Sequence, residues 1–246
     1  GDPFQSQPET VFGNPAALLD ALYQQQPANP GYLQAWQVES HHAHLEFRER
    51  KGRVLRETAF SEWEALDFAL AYLPDSAAVH FGNSMAVRYA AWIMPSGFPG
   101  KTFSNRGTSG IDGCVSTAMG YAVAHPEVPC FLFVGDISFF YDSNAFWNQL
   151  RPENLKVVLL NNGGGNIFRV IDGPRQLPEC ETFLETRHQR KADHLCRDLG
   201  IAYTLADDRE SLEEVWADVL KTDGPMVLEI LFAPETAPRI FPRLKS

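Results

Sequence analysis

The run Pro129-Cys130-Phe131-Leu132-Phe133-Val134, closed by Gly135-Asp136-Ile137-Ser138, decides how the rest of the chain is read. Its apolar residues follow one another without alternation, the pattern of a strand buried on both faces and hence of a parallel sheet. A second such run, Leu155 to Leu160, ends in Asn161-Asn162-Gly163-Gly164-Gly165-Asn166-Ile167-Phe168. Ala77 to Phe81 and Met226 to Phe232 complete a set of four candidate strands. Between them lie helical windows at 84–94, 111–125, 144–150, 191–199 and 211–221. Strands alternating with helices predict a doubly wound α/β fold, a mainly parallel sheet with helices on both faces.

Upstream of the first strand the periodicity is helical. Asn14-Pro15 reads as a cap followed by proline at the first helical position, opening a helix that stops near Pro27. A second helix is expected over 31–50. A third is expected over 61–73, where Ser61-Glu62-Trp63-Glu64 has the spacing of a capping box. Residues 1–13, rich in Pro, Gln and Gly, read as a linker or tail, leaving 14–246 as one domain.

Composition narrows the function classes. The 246 residues carry 21 Lys plus Arg against 31 Asp plus Glu, a net charge of −10. Such a chain is poorly suited to a polyanionic backbone, so no nucleic-acid partner is expected. No apolar stretch approaches the roughly 20 residues of a membrane span, and the first residues lack a signal-peptide pattern, so a cytoplasmic location is expected. The four cysteines, Cys114, Cys130, Cys180 and Cys196, form no CxxC pair and read as reduced thiols.

Ligands of open parallel sheets collect at the carboxyl ends of strands. Both key strands end there in hard oxygen donors and glycine. Magnesium takes about six oxygens and commonly keeps one or two carboxylates beside phosphate oxygens. Asp136, the Asn162 amide and the Gly164 carbonyl match that demand if the two strands are neighbours, and free N–H groups of the three-glycine turn would suit phosphate. Asp and Asn-Gly also form ordinary turns that bind nothing. The pairing, 26 residues apart and each closing an apolar strand, is what makes the site reading specific. A G-x-G-x-x-G fingerprint and a Walker lysine are both absent.

This Gly-Asp and Asn-Asn pair resembles the diphosphate and metal motif of thiamine diphosphate enzymes. Two further segments, His80-Phe81-Gly82-Asn83-Ser84-Met85-Ala86-Val87-Arg88 and Ser104-Asn105-Arg106-Gly107-Thr108-Ser109-Gly110-Ile111-Asp112-Gly113, resemble the C-terminal part of the 2-succinyl-5-enolpyruvyl-6-hydroxy-3-cyclohexene-1-carboxylate synthase family of menaquinone biosynthesis. That resemblance implies a transferase that decarboxylates 2-oxoglutarate and adds the succinyl unit to isochorismate, using thiamine diphosphate with Mg2+ or Mn2+.

By the same resemblance, Asp136, Asn162 and Gly164 hold the metal. Ser84, Arg88 and Arg106 hold the substrate carboxylate, and Ile167 and Phe168 form an apolar wall. Ile111 props the cofactor in its bent form. Asn83, Ser109, Gly110, Gly135, Ile137, Ser138, Gly165, Asn166 and Ile167 complete the cofactor site. Gly163 stands where the family commonly has a third Asn, Asn166 where a Gln is common, and Ile137 also departs from the metal-loop pattern. The catalytic glutamate of these enzymes lies in a pyrimidine-binding domain, which, like the middle domain, has no counterpart in the sequence. The chain alone is therefore expected to be catalytically silent. Its expected partner is that pyrimidine-binding domain, contributed by a second subunit of a homo-oligomer.

Two other readings of the residues stay open at this point: a different thiamine-dependent 2-oxoacid decarboxylase or carboligase, and a non-catalytic module on the same fold.

Overall fold

The computed structural model describes residues 14–25, 30–94 and 97–245, so the expectation for residues 1–13 lies outside the described residues. The chain divides into two compact units, residues 1–49 and 50–246. In the first unit, α1 (Pro15–Gln25) starts as the sequence predicts, with Asn14 Oδ1 accepting from the Ala16 N–H at 2.9 Å. α2 (Pro30–Arg56) is longer than expected and ends six residues past Arg50.

The second unit is built on a six-stranded, all-parallel sheet: β1 (Ala78–Phe81), β2 (Lys101–Ser104), β3 (Cys130–Gly135), β4 (Leu155–Asn161), β5 (Ala202–Ala206) and β6 (Met226–Leu231). Their spatial order is β2-β1-β3-β4-β6-β5. The four strands read from continuous apolar runs are the four inner ones. β2 and β5 are edge strands, each paired on one side only, and neither carries an unbroken apolar run, so the sequence pattern does not reveal them.

Successive side chains of a strand point to opposite faces. Leu132, Val134, Val157, Leu159 and Val227 join one cluster with Val115, Ala118, Met119, Phe139 and Phe146. Their neighbours Phe131, Phe133, Val158, Leu160, Leu228 and Ile230 are buried on the other face. On that side α3 (Glu62–Ala71) packs against α4 (Met85–Ile93) and α9 (Arg209–Lys221). Trp63 and Leu66 of α3 are fully buried.

Several helix boundaries move for local reasons. α5 (Cys114–Ala124) begins three residues later than the 111–125 window because Gly113 is left-handed (φ 75°), which leaves Ile111 in the preceding loop. No α-helix forms over 144–150: a 3-10 turn covers Ser143–Phe146, and Asn148 then bonds its own surroundings. Its Nδ2 donates to the Ala145 carbonyl and its Oδ1 accepts from the Leu150 N–H, both at 2.8 Å, in competition with helical hydrogen bonds. α9 starts two residues before its window, capped by Asp208 in a reciprocal box with Ser211. Among the described residues three α-helices lie outside the predicted windows, α6 (Asp136–Tyr141), α7 (Ile167–Val170) and α10 (Thr236–Lys245), as do a 3-10 turn over Pro174–Gln176 and a π-helix over Cys180–Leu184. α8 (Asp193–Leu199) falls inside the 191–199 window.

The chain runs from β1 outward to β2 and then crosses back to β3 on the other side of β1. Such a reversal opens a crevice at the carboxyl ends of the flanking strands. Here the crevice is narrow at its floor: the Gly82 N–H donates to the Phe133 carbonyl at 2.7 Å, and a Cβ on Gly82 would sit 3.2 Å from Cα of Val134.

Candidate functional site

β3 and β4 are adjacent, and their register sets Gly135 opposite Leu160, so Asp136 and Asn162 leave the sheet at nearly the same height. Asp136 is the first residue of α6 and is 1% exposed. Its Oδ1 accepts from the Ile137 N–H at 2.6 Å. Its Oδ2 accepts from the N–H groups of Asn162 (3.1 Å), Gly163 (2.8 Å) and Gly164 (3.0 Å). The amides of the glycine turn, expected to be free for phosphate, are therefore spent on Asp136, while the Gly165 N–H donates to the Glu185 carbonyl at 2.6 Å. Burial pushes the Asp136 carboxyl up to about 6, against the opposing pull of those backbone amides.

Asn162 completes the pair. Its Nδ2 donates to Glu62 Oε1, and its Oδ1 is buried with no hydrogen-bond partner among the described residues. Glu62 is a site component that sequence reasoning misses, because the local pattern marks it only as part of a capping box. Ser61 does cap α3, accepting from the Glu64 N–H at 3.2 Å. Glu62 itself turns inward and is 3% exposed. Burial raises its carboxyl to about 7; the Asn162 bond lowers it and the Asp136 charge raises it further. One signal could have revealed it: Glu62 is four residues before Leu66, so an acid shares the apolar stripe of the helix.

These groups face a cavity of about 500 Å3. Every predicted site residue lines it except Gly110, whose carbonyl instead accepts from Asn83 Nδ2 at 2.5 Å. Asn83 ties the 80–88 and 104–113 segments together: Nδ2 also donates to the Asn105 carbonyl (3.0 Å), and Oδ1 accepts from Arg106 Nη1 (3.1 Å). Arg88 Nη1 donates to the carbonyl of Ser84 at 2.6 Å, across one turn. Ser84 has φ 74°, a left-handed conformation costly for a residue with a Cβ and characteristic of functional loops. Burial and the neighbouring Arg106 charge lower the Arg88 guanidinium. Two cations, Arg88 and Arg106, and two buried carboxyls, Glu62 and Asp136, thus line the same cavity.

Ser138 Oγ donates to the Ile111 carbonyl at 2.5 Å and holds that loop against α6. Across the cavity, Ile167 and Phe168 open α7, and Asn166 Nδ2 is buried with no hydrogen-bond partner among the described residues. The Glu185 carboxylate accepts from Arg169 and from Arg187 Nε (2.8 Å), fixing the segment that covers the glycine turn. His188 follows, with Nε2 3.5 Å from Asp136 Oδ2.

A divalent cation fits what is present. The donors are hard oxygens, one of them an orphaned buried amide oxygen, and the Asp136 and Glu62 carboxyls lie close enough for the Asp136 charge to raise Glu62. No group of three or more His, Cys, Asp or Glu side chains that could hold a metal occurs among the described residues.

Comparison with known proteins agrees with this geometry. Residues 82–230 match the family model described as thiamine pyrophosphate enzyme, C-terminal TPP binding domain. The chain is 43% identical over 183 residues to a 2-succinyl-5-enolpyruvyl-6-hydroxy-3-cyclohexene-1-carboxylate synthase of Cytophaga hutchinsonii, covering 74% of this chain and 32% of that protein. A synthase of the same name from Flavobacterium johnsoniae is 41% identical, with 75% and 33% covered. One from Porphyromonas gingivalis is 35% identical, with 83% and 35% covered. The chain thus spans about a third of the length of the curated relatives it matches. In fold, it is similar to a structure titled as a putative thiamin diphosphate-dependent enzyme from Mycobacterium smegmatis, with TM-score 0.57, 22% identity, and 71% of this chain and 32% of that one covered. Among the described residues no helix is long and apolar enough to cross a membrane. With the family model covering more than half of the sequence, the chain belongs to the thiamine pyrophosphate enzymes and carries their C-terminal TPP binding domain.

Proposed function

We propose that this chain is the diphosphate-binding part of a 2-succinyl-5-enolpyruvyl-6-hydroxy-3-cyclohexene-1-carboxylate synthase, acting with Mg2+ or Mn2+ on 2-oxoglutarate and isochorismate. The observation that carries the reading is the convergence of Asp136 and the orphaned Asn162 Oδ1 at the ends of adjacent strands.

Asp136, Asn162 Oδ1 and the Gly164 carbonyl would hold the cation that grips the diphosphate. Once bound, thiamine diphosphate supplies the nucleophilic carbon on which a 2-oxoacid loses carbon dioxide. The residues of this chain bind and orient around that centre. Arg88 and Arg106, which line the cavity, suit a bidentate clamp on substrate carboxylates, with Ser84 beside them. Ile167 and Phe168 present apolar surface to the ring of isochorismate and keep water from it. Ile111, in the loop before α5, would prop the bound cofactor from the cavity wall.

The pyrimidine-binding domain, with its glutamate, would come from a second subunit of a cytoplasmic homo-oligomer. The domain layout that follows is a linker or tail over 1–13 and the diphosphate-binding domain over 14–246, and these 246 residues alone should give no turnover.

Calorimetric titration with thiamine diphosphate, with and without Mg2+, tests the reading on wild type and Asp136→Ala. Metal-dependent heat is expected for the first and not for the second. Metal-dependent binding that survives in Asp136→Ala overturns the ligand assignment.

A further inference from the structure

Glu62 has no role in the function proposed above, yet it touches the residue on which that function turns. It opens α3 on the turn capped by Ser61, with Trp63 and Leu66 anchoring the helix in the core. Its own carboxylate faces the cavity that Asn162 lines. Oε1 accepts from Asn162 Nδ2, and Oε2 has no hydrogen-bond partner among the described residues.

An asparagine amide offers two ends of nearly equal shape, one a double donor and the other an acceptor. A cation takes only the oxygen end. Glu62 Oε1 is a buried acceptor beside Asn162, and it favours the rotamer whose nitrogen faces it. The oxygen is then the end left for the cavity, and Asn162 Oδ1 is the buried atom without a partner.

We propose that Glu62 is a positioning residue that locks the Asn162 amide with Oδ1 toward the cavity, as a ready ligand for a divalent cation. The proposal rests on the reading that Asp136 and Asn162 hold such a cation. It assigns Glu62 no contact with substrate.

The test uses Mn2+ binding followed by electron paramagnetic resonance, with thiamine diphosphate present, in the protein carrying this chain. Three forms are compared: wild type, Glu62→Leu and Glu62→Gln. Losing a partner that orients a metal ligand commonly weakens metal binding about 10- to 100-fold, and that loss is expected for Glu62→Leu. Glu62→Gln keeps a carbonyl that can accept from Nδ2 but adds a donor that can face Oδ1, and is expected to weaken binding less than Glu62→Leu.

Equal affinity in wild type and Glu62→Leu overturns the proposal while leaving the metal reading intact. A Gln variant as damaged as the Leu variant overturns it too, because charge and not the acceptor would then be what matters. No Mn2+ uptake by wild type removes the metal reading and the proposal with it. If Glu62→Leu does not fold, the Asn162 side-chain amide of wild type decides by NMR. One of its protons should be shifted downfield and exchange slowly; two fast-exchanging protons with similar shifts overturn the proposal.

Discussion

His188 Nε2 lies 3.5 Å from Asp136 Oδ2, and both side chains are almost fully buried. The other ring nitrogen, Nδ1, accepts from the Arg190 N–H at 3.0 Å. Burial and the Arg190 charge lower the His188 pKa, which favours the neutral ring; with Nδ1 accepting, the ring proton falls to Nε2, which faces Asp136 without a hydrogen-bond partner among the described residues. Replacing His188 by leucine removes that donor while leaving the backbone of the 185–190 segment able to pair with the glycine turn. Mg2+-dependent binding of thiamine diphosphate should weaken by about tenfold, the low end for groups that act through a ligand. Calorimetry on His188→Leu checks this, and unchanged affinity would reduce the histidine to a space filler.

Two glycines of the site should respond in opposite ways to the same added methyl group. Gly164 has φ 155°, and a Cβ there would come 2.8 Å from the Glu185 carbonyl oxygen. Gly164→Ala should therefore cost about 1–3 kcal/mol of stability as the turn is forced to shift. Gly135 has an ordinary extended backbone, and a Cβ added there would meet nothing within 4 Å. Gly135→Ala should change stability by less than about 0.5 kcal/mol, yet place a methyl on the cavity wall and impair cofactor binding. Urea unfolding paired with calorimetry separates the two effects.

His80 supplies a pH dependence remote from the metal residues. It sits in β1, stacked on Phe103 and edge-on to Tyr121, and burial pushes its pKa from 6.5 down to about 4. The folded state thus takes up the proton later than the unfolded chain. Its contribution to stability is complete above pH 6.5 and is lost as pH falls from 6.5 towards 4, by up to about 1.4 kcal/mol per pH unit. Glu62 and Asp136, raised to about 7 and about 6, act with the opposite sign, favouring the fold as pH falls through those values. The difference between wild type and His80→Phe isolates the histidine. Urea midpoints at pH 7.5 and pH 5 should fall further in wild type than in the variant, and equal falls would refute the assignment.

All four cysteines are free and buried, and burial pushes the Cys130 and Cys196 thiols up to about 12. Thiolate is the reactive species, so labelling by a thiol reagent at pH 8 should be slow in the native protein and fast in urea. Rapid native labelling of Cys130 or Cys196 would show that the sheet opens locally.

Sequence pattern serves best where burial is complete on both faces. β1, β3, β4 and β6 are legible because their runs are unbroken. β5 is not, because Ala202 is exposed and Tyr203 to Leu205 are only half-buried at the sheet edge. The Asp136 and Asn162 pair is legible because each closes one of the inner strands. Glu62 is not, because it comes to the site from a helix 100 residues away in sequence, and no local pattern encodes that meeting. Glu229 is a similar case: fully buried in β6, it accepts from Asn161 Nδ2 (2.6 Å), the Ala192 N–H (3.0 Å) and the Tyr203 hydroxyl (2.6 Å). It looks in sequence like an acid misplaced among valine and leucine, and only the three-dimensional network explains it.

The level pairing of β3 with β4 has an evolutionary corollary. Because the ladder itself sets where both strands finish, the crossover linking them is free to drift in length and composition while the pair of chelating groups stays put. Residues 147–151, all exposed, are where such drift would be least costly. A short peptide grafted there should leave cofactor capture untouched, whereas a single-residue slip within either strand would abolish it.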